Sequence, residues 1–309
     1  MAQATSKSDL SAATTSVKIQ LDEGELTAGF SFKEAIAEFL NKNLNKDALK
    51  SFEARVEILR KSSFFITIQP KKILLSQQNT MHYVNIFQVV DPQRFQRMKT
   101  IGTNQTKIQL FILQEYLEQL KNCQRELVEL VQSKNGEFSL AIQKDPVQYL
   151  SELSELLNNF KNMLTPGPLH LKHQLIPHVP VRQIPPLRLI LKTKGPVTFD
   201  RKVATAFDNW AFLSWHVCGQ RHLTDSYELC FQQLNVPSNE VAHSGIHIIS
   251  SNTFKIYNLL PEKLYEFSIR RTEAFNLVYD EWRDVITLST GENSACNLAK
   301  SQAFGDYQF

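Results

Sequence analysis

A chain of 309 residues, 42% hydrophobic and 21% charged, is globular in composition and long enough for two domains. Its 34 Lys and Arg against 31 Asp and Glu leave a net charge of +3. The basic residues gather no further than Arg60-Lys61 and Lys71-Lys72, which argues against a nucleic-acid partner held through its phosphates.

No apolar run approaches the roughly eighteen residues that cross a bilayer. The opening MAQATSKSDLSAATTSVKIQ lacks the apolar stretch of a secretory signal. Its Ser, Thr and Ala content suits a transit peptide only weakly, since no Arg precedes Arg55. Disordered tails are expected over 1–29 and 291–309. Cys123, Cys218, Cys230 and Cys296 show no C-x-x-C spacing, so reduced thiols in a cytoplasmic protein are expected. The sequon Asn104-Gln105-Thr106 matters only if the chain is secreted.

Residues 30–164 carry apolar side chains at helical spacing. Phe32, Ile36 and Phe39 or Leu40 open one amphipathic helix, and Phe52, Val56 and Leu59 mark a second. In TKIQLFILQEYLEQLKNCQRELVELV, Tyr116, Leu120, Cys123, Leu127 and Leu130 step by 4, 3, 4 and 3 along one face. Asn135-Gly136 suits a helix end, and Asp145-Pro146 an N-cap with proline at the first helical position. The next helix repeats the step through Leu150, Leu153, Leu157, Phe160 and Leu164, so an all-α helical bundle containing an antiparallel hairpin is expected. SSFFITIQP and Glu137 to Ile142 read equally as short strands or as irregular packing segments.

Six prolines between Thr165 and Leu189 make 165–195 an extended connector. Its apolar residues, Leu169, Leu175, Ile176 and Leu187 among them, are too many for a free linker, so it is expected to lie along its neighbours. Pro177-His178-Val179-Pro180 also has the P-x-x-P form of a polyproline II ligand.

Beyond Gly195 short alternating runs take over. Ala211, Leu213 and Trp215 share one strand face, as do Tyr227, Leu229 and Phe231; Phe254 with Ile256, Tyr265 to Ile269, and Val285 to Leu288 follow. In YNLLPEKLYEFSI, the spacing L-x-P-x-x-x-Y sets Leu259, Pro261 and Tyr265 at the corner of a β-sandwich, where a tyrosine hydroxyl bonds back to upstream backbone. Counting by two from Trp215 and Leu229 turns Cys218 and Cys230 away from the core on opposite sheets, too far apart for a bridge.

WAFLSW, YELCF, NLLPEKLYEFSIRRTEAF and a closing TLST resemble a fibronectin type III domain over 196–290. Trp215 matches that family's buried tryptophan, and Leu259, Pro261 and Tyr265 its corner. With the helical half, the chain resembles the fibronectin type III domain-containing proteins. The expected class is therefore α+β multidomain: an N-terminal all-α helical bundle and a C-terminal all-β fibronectin type III sandwich. The region from Asn235 to Ser251 departs from the pattern, with no clear alternation. The resemblance implies a module that lends loops or edge strands to other proteins, and no catalytic residues. The loop from Phe275 to Arg283 either exposes Phe275, Tyr279 and Trp282 or uses them as core. With Arg283 they form the candidate protein-binding loop, since aromatics and Arg dominate binding hot spots.

Sharper chemistry finds little support. His170, His173, His178, His243 and His247 lack zinc-ligand spacing, so no metal or other cofactor is expected. Nucleophile-elbow and phosphate-loop motifs are absent, and ten glycines are few for a phosphate cradle. The expected function is a non-catalytic intracellular scaffold or structural component that binds other proteins, in a cytoskeletal or axonemal setting. The competing expectation is an extracellular adhesion or receptor-like module.

Overall fold

The computed structural model describes residues 32–77, 80–132, 146–171, 174–177, 185–219 and 225–291. The expected tails, Asn135-Gly136, Glu137 to Ile142, the Asp145 cap, His173, His178 and Cys296 lie outside them. Two compact units divide the chain. One takes the segment up to Asn45 with Leu120–Asn158; the other takes Lys46–Gln119 and everything from Asn159.

The first unit is helical. It holds α1 (Phe32–Asn43), the later part of α4 (Pro92–Gln132) and most of α5 (Pro146–Met163). Apolar residues three and four apart form a stripe on each helix. Ile36, Phe39 and Leu40 are buried from α1, Leu120, Leu127 and Leu130 from α4, and Leu150, Leu153 and Leu157 from α5. Gln124 Nε2 donates to the Leu44 carbonyl at 3.2 Å, closing the open end of α1. Along α4 the buried stripe passes through Leu113 and Leu117, while Tyr116 and Cys123 are only half-buried.

The second unit adds strands to the expected all-α bundle over 30–164 and settles SSFFITIQP, which reads equally as strand or irregular segment, as a strand. After α2 (Lys46–Arg60), the chain forms β1 (Ser63–Gln69), β2 (Lys72–Gln77) and β3 (Thr80–Asn85), then the single turn α3 (Ile86–Val89) before α4. From the connector come β4 (Pro168–Leu169) and β5 (Arg188–Lys194). β1 is buried along most of its length because it is a central strand, paired with β5 from Ser63↔Lys194 to Gln69↔Arg188. Two-sided burial favours a continuous apolar run over alternation, which is why SSFFITIQP has no period. Its core joins Phe64, Ile66, Phe95, Leu175, Leu189 and Val278, and so includes connector residues.

The same unit contains the sandwich. Its strands are β6 (Val197–Phe199), β7 (Thr205–Ala206), β8 (Trp210–Val217), β9 (Tyr227–Gln233), β10 (Ser244–Ile249), β11 (Thr253–Tyr257), β12 (Leu264–Arg271), β13 (Leu277–Tyr279) and β14 (Asp284–Ser289). One sheet runs β11-β8-β6 with β7 beside β8, and the facing sheet runs β10-β9-β12-β14. β12 alternates strictly, burying Tyr265, Phe267, Ile269 and Arg271. Trp215 is fully buried at the centre, edge-on to Phe199 at 6.4 Å and Tyr227 at 5.9 Å. The α+β architecture is thus a helical region followed by a β-sandwich, with strands also inserted in the first half. One of these strands, β13, leaves the sandwich: its sheet is β13-β1-β5-β4.

Candidate protein-contact site

The corner residues stand together. Tyr265 is fully buried, its hydroxyl oxygen accepts the Leu260 N–H at 3.0 Å, and His243 Nδ1 lies 2.8 Å away. Burial pushes its phenol up. Leu259 is buried beneath the crossover, and Pro261 is exposed on it. Thr290 Oγ1 donates to the Leu260 carbonyl at 2.7 Å and accepts the Lys263 N–H at 3.0 Å, stitching the corner to the end of β14. His243 has no sequence signature as a corner partner; only the fold brings it there.

The candidate loop is held by its own chain. Asn276 O accepts the Ile66 N–H at 2.9 Å, and Asn276 Nδ2 returns a bond to Ile66 O at 3.0 Å. Thr103 Oγ1, on α4, donates to Val278 O at 2.6 Å. Gly102, one residue earlier on α4, packs beside Val278, Ile66 and Leu169; a Cβ there would meet all three in ordinary contact at 3.4–3.5 Å. The aromatics follow the backbone. Phe275 stacks on Phe95 at 4.8 Å yet stays 54% exposed, and Tyr279 meets Phe64 edge-on at 5.7 Å. Trp282 donates its indole N–H to Val197 O at 3.3 Å beneath the Lys61 ammonium, 4.5 Å from its ring centroid. Arg283 alone points to solvent without a described contact. Between the two alternatives, exposed or core, Tyr279 and Trp282 are half-buried and Phe275 stays mostly exposed.

Charges secure the same region. Asp225, buried, receives Lys194 at 2.5 Å and the buried Arg271 at 3.2 Å, and Arg271 also donates to Gly195 O at 3.0 Å. Asp284, also buried, accepts two bonds from Arg201 and the Phe199 N–H at 2.7 Å, tying β14 to β6. Burial pushes the Asp280 carboxyl up, against the Ser63 hydrogen bond and the Arg270 and Arg271 charges.

Elsewhere, α4 exposes Ile108 and Phe111, 59% and 67% accessible. Beside them Ile101, Ile108, Ile112 and Met163 line an open groove of about 590 Å³ with Asn104 and Gln105 on its rim. Cys123, Cys218 and Cys230 are unpaired, and Cys218 is exposed. Among the described residues no cluster of His, Cys, Asp or Glu could hold a metal ion, and no helix is long and apolar enough to cross a membrane.

The two facing sheets, the central indole and the tyrosine corner define a fibronectin type III sandwich joined to a helical N-terminal region. Residues 27–189 match the profile described as "Family of unknown function (DUF5581) N-terminal domain", and residues 194–296 that of its "Fn3-like domain"; the chain belongs to this family. It is 41% identical over 260 residues to fibronectin type III domain-containing protein 11 of Homo sapiens, spanning 84% of this chain and 82% of that protein. The Bos taurus protein of the same name is 39% identical over 272 residues, covering 87% and 82%. Among solved structures, the FN5 domain of Drosophila Lar is similar at 17% identity and TM-score 0.22, over 29% of this chain and 90% of that one. The relationship is to proteins named for their fibronectin type III domain, a module for contact between proteins.

Proposed function

We propose that this chain is a protein-binding scaffold whose contact surface is the solvent face of α4. The observation that carries the reading is the pairing of exposed Ile108 and Phe111 with an apolar groove, on a helix clamped to the sheet through Gly102 and Thr103. Apolar side chains fixed on a rigid element beside a concavity suit an interface core. Proximity labelling in the native tissue, with wild type and with Ile108→Glu/Phe111→Glu, tests it. Partners of the wild type are expected to vanish from the variant, whose side chains were never buried; an unchanged partner set removes α4 from the reading.

A cytoplasmic setting is supported by the unpaired thiols, above all the exposed Cys218. The second reading, an extracellular adhesion or receptor-like module, is favoured by Asn104, which stands exposed at the head of its sequon. Mass spectrometry of native material separates the two. Glycan on Asn104 or oxidised cysteines would select the extracellular reading, and free thiols with bare Asn104 the cytoplasmic one.

A further inference from the structure

Among the described residues, the sheet order β10-β9-β12-β14 leaves one side of β10 without a neighbour. An edge strand presents a row of unpaired amides and carbonyls, which soluble proteins ordinarily guard with lysine, proline, a bulge or a covering loop. β10 lacks these guards among the described residues. Its sequence, Ser-Gly-Ile-His-Ile-Ile, holds no Lys, Glu or Pro, and it pairs with β9 in unbroken register from Ser244↔Gln232 to Ile249↔Tyr227. Its solvent face is apolar: Ile246 and Ile248 are 68% and 64% exposed, and Val241, just ahead, is 96% exposed.

Antiparallel ladders alternate, so the groups that point outward are fixed. Gln233 N–H donates to His243 O at 2.8 Å, which turns residues 243, 245, 247 and 249 toward β9. On the far side of β9, Leu234 N–H donates to Leu264 O at 2.8 Å, as the same parity requires. Ser244, Ile246 and Ile248 therefore turn N–H and C=O to the open edge. The inward side chains are committed elsewhere: His247 stacks on Phe231 at 6.0 Å and Gly245 sits against the same ring.

The run from Ser244 to Ser250, S-G-I-H-I-I-S, reads nearly the same in both directions about His247. Two copies laid antiparallel about a two-fold axis at His247 bring Ile246 opposite Ile248 of the second copy, and the reverse. Both members of each pair have outward-pointing backbone groups, so the register that matches the side chains also matches the hydrogen bonds. Isoleucine facing isoleucine on the solvent face is a favourable cross-strand pair, and no charge meets a like charge. We propose that this chain forms a two-fold homodimer through β10, the partner being a second copy, so that two four-stranded sheets join edge to edge. The proposal uses none of the α4 residues invoked above, so the two readings stand or fall separately.

Sedimentation velocity of the full chain tests it. Wild type is expected to show a concentration-dependent boundary approaching twice the 35.5 kDa chain mass. Ile246→Lys is expected to abolish the dimer by placing lysines beside each other across the axis. Ile248→Pro is expected to do the same by deleting an outward amide that β9 does not use. Circular dichroism of Ile246→Lys should match wild type, since the side chain is exposed. Amide exchange on wild type gives a readout free of any variant: with rising concentration, exchange at Ile246 and Ile248 slows by more than about tenfold while Ile249 stays constant. The proposal is overturned if the chain stays monomeric to about 100 µM, or if the dimer survives both substitutions. Edge amides already slow at the lowest concentration would overturn it too, since another strand would then cover the edge.

Discussion

A Cβ on Gly195 would stand 2.2 Å from the Cys218 carbonyl oxygen and 2.9 Å from its carbon, both backbone atoms of the β6–β8 junction. Neither atom can yield without breaking the bond from Cys218 N–H to Pro196 O at 3.0 Å, and Gly195 O itself holds the buried Arg271. Gly195→Ala is therefore expected to cost about 3 kcal/mol or more in urea unfolding; a loss within about 0.5 kcal/mol would refute the close approach. Asp280 makes a pH prediction. Burial raises its carboxyl above the ordinary aspartate value, so the folded state binds this proton more tightly than the unfolded state does. Its contribution is fully present below the ordinary value of about 4 and is lost as pH rises through the folded one. Asp280→Asn, which stays neutral, should thus gain stability relative to wild type as pH rises from about 3 to 7. Urea midpoints for both proteins across that range check the sign; a constant difference would mean that Ser63 and the two arginines cancel the burial.

Among the elements, β13 depends most on its surroundings. Three residues make no strand alone; this one is held by Ile66, Asn276 and Thr103, and the Asn276–Ile66 contact joins residues 210 positions apart. Replacing Thr103 by Val and Asn276 by Ala removes two side-chain bonds worth about 1 kcal/mol each. Amides of Leu277 to Tyr279 should then exchange faster while those of β9 and β12 keep their protection. If all three strands exchange faster together or none changes, the loop is not held in this way. The contrast among strands shows what the sequence could convey. β8 and β12 each have one face in the core and one outside, so alternation exposed them, and the corner spacing fixed Tyr265. β1 is buried on both faces, and β10 puts isoleucines on the wet face, so neither has a period to read. For the candidate loop, composition singled out Phe275, Tyr279 and Trp282 but could not say what they touch. Phe275 meets Phe95 of α4, Tyr279 meets Phe64 of β1, and Trp282 meets Val197 and Lys61, contacts that rest on long-range pairing and that no local pattern encodes.

At the scale of the molecule, the sheet β13-β1-β5-β4 gathers strands from both sides of the expected boundaries at 164 and 195. The sandwich has its own core around Trp215, Tyr227 and Phe267. A fragment of residues 196–290 is accordingly expected to fold, but with Val278, Tyr279 and Phe275 stripped of Ile66, Phe64 and Phe95. Its unfolding midpoint, followed by tryptophan fluorescence, should fall below that of the intact chain. Equal midpoints would show that the shared sheet contributes nothing to the sandwich.

Loops at the ends of such sandwiches are ordinarily where length and sequence drift freely, because nothing downstream measures them. Here the stretch between Thr272 and Asp284 is gauged twice, by its pairing with Phe64 and Phe65 and by the anchoring of Asp284 to Phe199. One inserted residue would reverse the facing of every side chain beyond it and swing Val278 away from its place beside Gly102. A hairpin that could have been the most changeable part of the protein is thereby made one of its least editable.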